Sequence, residues 1–92
     1  MKYFKIQTNR ASIKSVLSEF QSNIEPDEYF ISPRPLPGEI QRIYYGLACV
    51  KENGNNINLV RKFKNCKELL KKDYDIEKSS LVHYWSAEAL NA

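Results

Sequence analysis

The stretch IQRIYYGLACVKENGNNINLVRKF, Ile40 to Phe63, decides the fold. Ile40 to Lys51 is rich in apolar and aromatic residues, Asn53-Gly54 has the signature of a type I′ turn, and Ile57 to Phe63 returns. With Asn53 and Gly54 as the loop, Val50 faces Ile57, Ala48 faces Leu59, Gly46 faces Arg61 and Tyr44 faces Phe63. The opposite face then carries Cys49/Asn58, Leu47/Val60 and Tyr45/Lys62. Side chains alternate across a strand, so a slip of one residue would exchange the two faces.

Upstream of this hairpin, Lys2 to Thr8 alternates, with Phe4 and Ile6 on one side and Tyr3, Lys5 and Gln7 on the other. That pattern predicts a strand. Asn9 is placed to cap a helix whose Ile13, Val16, Leu17 and Phe20 fall at i, i+3, i+4 and i+7. Pro26 closes the helical region and Tyr29-Phe30-Ile31 reads as a short strand. Ser32 to Gly38 (SPRPLPG) is a stiff surface loop by its prolines. Downstream, Asn65 is placed to cap a second helix of about two turns, with Cys66, Leu69, Leu70 and Tyr74 inward and Lys67, Lys71 and Lys72 outward. Leu81 to Trp85 (LVHYW) reads as a last strand, and the tail from Ser86 adds at most a helical turn. The expected fold is α+β: an antiparallel sheet of four to five strands, two helices packed on one face, order β-α-β-β-β-α-β.

Ninety-two residues support one domain, 1–92. Apolar residues at 42% and charged residues at 27% are ordinary globular usage and exclude a disordered tail. No run has the length of a secretory signal or of a membrane span, and two cysteines are too few for a disulfide scaffold. A cytoplasmic protein with reduced thiols is expected. The net charge of +3 conceals segregation. Residues 61–72 set six cations, Arg61, Lys62, Lys64, Lys67, Lys71 and Lys72, against Glu68 alone. Residues 19–28 carry Glu19, Glu25, Asp27 and Glu28 without a cation. An anionic partner would be sought at the basic segment.

Catalytic readings have little to build on. His83, the one histidine, sits in an apolar run with no orienting partner in sequence and reads as a structural strand residue. Cys66, expected in the first turn of a helix, is the one candidate nucleophile, but it shares that helix's apolar stripe. No CxxC, HxxxH or HExxH spacing offers a metal site, and three glycines supply neither GxGxxG nor a Walker loop. No enzyme activity, cofactor, metal, membrane contact or small-molecule substrate is expected.

Binding is better supported. Cations interleaved with aromatics, as in Arg42, Tyr44, Tyr45, Arg61, Lys62 and Phe63, are the composition of a nucleic-acid surface. Gly46-Leu47-Ala48-Cys49-Val50 resembles part of the RNA-recognition-motif signature, but Leu47 and Cys49 stand where the stacking aromatics belong, so that assignment is not made. If the helices cover Tyr44, Ala48, Val50, Ile57 and Leu59, then Tyr45, Leu47 and Val60 face outward beside Lys62, as a protein interface would require.

Over its full length, from MKYFKIQTNRASIKSVLSEF onward, the chain resembles the very small phage proteins directed against host defence, in particular anti-CRISPR inhibitors of the type I-F surveillance complex. The resemblance implies a stoichiometric inhibitor acting in the host cell cytoplasm, whose partner is the CRISPR-Cas surveillance complex, Cas subunits and guide RNA together, kept from target DNA. Many such inhibitors are acidic DNA mimics; the Arg61–Lys72 cluster departs from that pattern and suits contact with guide RNA. The expected partner-binding residues are Arg61, Lys62, Lys64, Lys67, Lys71 and Lys72, with Arg42, Tyr45 and Arg34 contributing. The alternatives are a general single-stranded nucleic-acid binder and a protein-only module such as an immunity protein or antitoxin.

Overall fold

The computed structural model describes residues 1–23, 25–34, 44–81 and 83–87. The elements run β1 (Lys2–Thr8), α1 (Arg10–Asn23), β2 (Tyr29–Pro33), β3 (Tyr44–Val50), α2 (Asn56–Arg61), β4 (Cys66–Leu69), α3 (Lys71–Ser79) and β5 (Tyr84–Ser86). The strands form one antiparallel sheet in the order β4-β1-β3-β2-β5. This is the expected α+β class, and without the short α2 the element order is the expected β-α-β-β-β-α-β.

The first half of the chain folds as its pattern dictates. In β1, Phe4 and Ile6 are buried on one face. Asn9 caps α1: its Oδ1 accepts the Ser12 N–H at 2.9 Å, which satisfies one of the helix's four orphan donors. The stripe Ile13, Val16, Leu17 and Phe20 is buried, each side chain worth roughly 1.5–3 kcal/mol of gross burial. Phe20 stacks on Phe30 of β2, ring centroids 5.1 Å apart. Phe30 in turn lies across β3 at Gly46, where an added Cβ would stand 2.9 Å from its Cε2.

Over the described residues 44–63 the expected hairpin does not form. Tyr44–Val50 is a strand, but both of its edges are taken, by β1 (Phe4↔Ala48) and by β2 (Phe30↔Ala48). No edge is left for Ile57 to Phe63, and the pairs Val50/Ile57, Leu47/Val60 and Tyr45/Lys62 are absent. Asn53 and Gly54 do not have the positive φ that a type I′ turn requires. Instead 56–61 is helical, and Asn56, Ile57 and Val60 are buried at helical spacing. The third partner strand is supplied further on, by Cys66–Leu69 pairing with β1 (Ile6↔Cys66, Tyr3↔Leu69).

That shift delays the next helix, which begins at Lys71 rather than Cys66. Leu70, expected inward, is its N-cap and 65% exposed. Tyr74 is buried as expected, but against the other face of the sheet: its ring lies 4.9 Å from that of Tyr3. Tyr3 alternates with Phe4, so α3 covers the face opposite α1 and α2. The two longer helices therefore sandwich the sheet instead of sharing one side. One core joins α1 and α2 to Phe4, Ile6, Phe30, Ala48 and Val50. A smaller one joins Ile31, Leu47 and Cys49 to Tyr74. Pro35 to Gly38 of the proline loop, Arg42, and the tail beyond Ala87 lie outside the described residues.

Candidate nucleic-acid interface

The basic segment becomes one edge of the molecule. Arg61 ends α2, Lys62 caps it, Lys64 lies in the turn, Lys67 sits on the edge strand β4, and Lys71 and Lys72 open α3. All six are exposed. The register places Lys67 opposite Lys5 on the α3 side of the sheet, while Cys66 and Glu68 lie on the α1 side with Phe4 and Ile6. The cations thus straddle an edge rather than tile a face.

The hydrogen bonding of that edge follows from the register. Gln7 N–H donates to the Asn65 carbonyl at 3.1 Å. In an antiparallel ladder this directs the backbone groups of Asn65, Lys67 and Leu69 toward β1 and those of Cys66 and Glu68 outward. The outer rim of β4 thus presents backbone donors and acceptors between side-chain cations.

The carboxylates that could quench these charges are mostly engaged elsewhere. Glu68, the segment's own anion, pairs with Lys2 of β1 at 3.6 Å. Glu77 binds Lys5 at 3.1 Å. Asp75 takes Lys71 at 3.1 Å and raises the pKa of its ammonium, mainly through that hydrogen bond. Among the described residues, Arg61, Lys62, Lys64, Lys67 and Lys72 have no carboxylate within ion-pair distance. Like charges directly opposite in a sheet are destabilising, and Lys67 faces a Lys5 whose charge Glu77 already offsets in part.

Tyr45 lies two strands in from this edge, half-buried, with the Lys5 ammonium 4.7 Å from its ring centre. Burial, followed by the nearby Glu77 charge, pushes its phenol pKa up. Between Tyr45's strand neighbour Gln7 and the edge is a shallow recess of about 280 Å³, lined by Lys5, Gln7, Asn65, Lys67, Leu69 and Glu77. Arg34 is not part of this surface. Its N–H donates to the His83 carbonyl at 3.0 Å, at the opposite, β5 edge of the sheet.

The apolar face expected beside Lys62 is absent, because Leu47 and Val60 are both fully buried, in different cores. Cys66 lies on a strand instead of a helix N-terminus, so it has no helix dipole to acidify it. Burial raises its pKa, with Arg61 opposing. Cys49 is buried and burial raises its pKa likewise. Both thiols are free. His83 precedes β5 and is exposed. Among the described residues, no group of three His, Cys, Asp or Glu side chains is gathered in a metal-holding arrangement. None of the described helices is long and apolar enough to cross a membrane.

A second cationic–aromatic group was not anticipated. Arg10 and Lys14, one turn apart on α1, lie 5.6 Å and 5.5 Å from the centre of the Trp85 ring. Their i, i+4 spacing on the polar side of α1 was visible in sequence; that β5 would bring Trp85 beneath them was not. Comparison with protein families, curated proteins and solved structures finds no match to this chain.

Proposed function

We propose that this chain is a stoichiometric inhibitor that binds a nucleic-acid-containing complex through its β4 edge. The observation that carries the proposal is the row of five exposed cations, Arg61, Lys62, Lys64, Lys67 and Lys72, without carboxylate partners among the described residues. Such a row neutralises phosphates laid along it, and the outward backbone groups of β4 add hydrogen-bonding capacity for a protein neighbour. The resemblance to small anti-CRISPR proteins makes the specific partner the type I-F surveillance complex, met in the host cell cytoplasm. The β4 edge would then lie against guide RNA and a Cas subunit, blocking target DNA.

The test uses the assembled surveillance complex with its guide RNA. Wild-type chain is expected to bind it at a fixed stoichiometry and to prevent target DNA from binding. Charge reversal of Lys62, Lys67 and Lys72 together weakens binding, and the salt dependence loses about 0.7 of slope per lost phosphate contact. If the triple reversal binds as tightly as wild type, the footprint is wrong. Binding to bare RNA as tight as to the assembled complex at the same salt would favour a general single-strand binder instead.

A further inference from the structure

We infer that Trp85, Arg10 and Lys14 form a second, separate site, one that takes an unpaired nucleobase with its phosphate. The inference rests on the reading that the partner carries nucleic acid, but on different residues. Trp85 lies on the edge strand β5, paired with Ser32 of β2. Four strand spacings of about 4.8 Å put it roughly 19 Å across the sheet from β4. Its half-buried indole, with Leu17 of α1, walls an open and mainly apolar recess of about 310 Å³, and Lys14 and Ser18 stand at its margin.

Charge complementarity selects the occupant. Arg10 and Lys14 are exposed and, among the described residues, have no carboxylate within ion-pair distance. Arg10 is the first residue of α1, and that first turn contains no acidic residue. The helix dipole disfavours a cation in that first turn, so helix stability does not account for Arg10. The present engagement of both cations is with the ring, within the ~6 Å range of cation–π attraction. A base lying between the indole and Leu17 would stack on the ring, while the two cations swing from the ring to the adjoining phosphate. A carboxylate side chain would satisfy the cations but leave the apolar wall of the recess uncovered, so a nucleotide fits the recess better than an acidic peptide.

Trp85 is the chain's one tryptophan, so its fluorescence reports this site alone. The experiment titrates the full chain with a short oligouridylate at low salt, following indole emission together with the anisotropy of a labelled oligonucleotide. Binding with quenching of the indole is expected. Trp85→Ala should weaken binding at least about fivefold, the lower end of base–aromatic stacking. Arg10→Gln with Lys14→Gln leaves the indole in place, and should reduce quenching and lower the salt slope by about 0.7, for the one phosphate the two cations share. The Gln pair keeps the test decisive if Trp85→Ala fails to fold. Binding without quenching, unchanged in the Gln pair, overturns this site and leaves the β4 footprint standing. Quenching by polyglutamate and not by oligouridylate also overturns it, in favour of an acidic protein partner. No binding of the oligonucleotide at low salt overturns it too, while the assay on the assembled complex still judges the β4 edge independently.

Discussion

Replacing Asn56 by alanine should be among the most damaging single changes in this chain, although the sequence presents it as one of four asparagines around a turn. Asn56 is 4% exposed and Glu28 is 2% exposed. The Asn56 amide donates to Glu28 Oε1 at 2.9 Å and to the Asn23 carbonyl at 3.0 Å, while Glu28 Oε2 accepts the Lys51 N–H at 2.8 Å. One amide therefore ties together the end of α1, the start of β2 and the start of α2, and Glu28 extends the tie to the end of β3. Asn56→Ala removes a hydrogen bond to a charged acceptor, about 1.5–3 kcal/mol, and a neutral one, about 0.5–1.5 kcal/mol. Alanine's better helix propensity returns at most ~0.7 kcal/mol. The net loss should be about 2–4 kcal/mol. For a domain of this size each kcal/mol lowers Tm by roughly 4–8 °C, so a fall of about 8 °C or more is expected. Thermal and urea unfolding followed by circular dichroism measure it. Asn55→Ala is the control, because Asn55 is exposed and makes no side-chain cap bond; it should change stability by no more than ~0.5 kcal/mol. Asn56→Asp should be worse than alanine at neutral pH, since it sets two carboxylates against each other, and should recover partly in acid as the pair takes up a proton. Equal stabilities for the Asn55 and Asn56 alanine variants would refute the helical turn and return 57–63 to the hairpin.

Three further outcomes follow from the same geometry. Gly46→Ala should cost about 1–3 kcal/mol by overpacking, because the new Cβ meets Phe30 Cε2 at 2.9 Å and Cε1 at 3.1 Å in a ring already stacked on Phe20; denaturation midpoints test it. Tyr74→Phe should be neutral or stabilising by up to ~1 kcal/mol, since the buried hydroxyl has no hydrogen-bond partner among the described residues. Burial raises the Tyr74 phenol's pKa, so its contribution is intact below the unfolded value near 10 and is lost as pH rises beyond it; the Phe variant should lose less stability above pH ~10. Lys67→Thr should leave folding unchanged within ~0.5 kcal/mol or improve it, because it removes the like-charge pairing with Lys5, while reducing partner binding in a salt-dependent manner.

The N-terminal third was readable because its information is local. Asn9 and the Ile13-Val16-Leu17-Phe20 stripe need only helical periodicity and a cap, and Phe4 and Ile6 need only alternation. Residues 57–63 carry two patterns at once: Ile57 and Leu59 alternate as in a strand, while Ile57 and Val60 repeat as in a helix. What decides between them is the occupancy of β3's edges by β1 and β2, a long-range fact. Likewise Cys66-Lys67-Glu68-Leu69 has no strand composition of its own and becomes a strand because β1 offers a free edge. Glu28 counted as surface charge in the acidic run, yet it is buried by the turn at Asp27, whose φ of 69° swings the chain into β2. Exposure of the six cations was legible because lysine and arginine seldom bury their charged ends without a partner. Their gathering on one edge was not, since it depends on the strand that the sequence hid.

An edge strand needs charge for a reason unrelated to ligands, because lysines and shortness both discourage pairing with another chain. That account covers β4 only in part. At four residues it is already short, and Lys67 and Glu68 both lie exposed on it. Those two suffice as guards. Arg61, Lys62, Lys64 and Lys72 stand outside the strand, on elements with no free sheet edge to protect. The opposite edge makes the contrast sharper. β5, three residues long, carries Tyr84, Trp85 and Ser86 and no cation of its own, and its charge comes from Arg10 and Lys14 reaching over the indole. Shortness alone guards β5, so protection against aggregation does not call for Arg10 and Lys14 there. What the fold does is bring cations from neighbouring elements to each edge, alone at β4 and over an aromatic ring at β5, the arrangement that the proposed contacts with a phosphate backbone and an unstacked base would use.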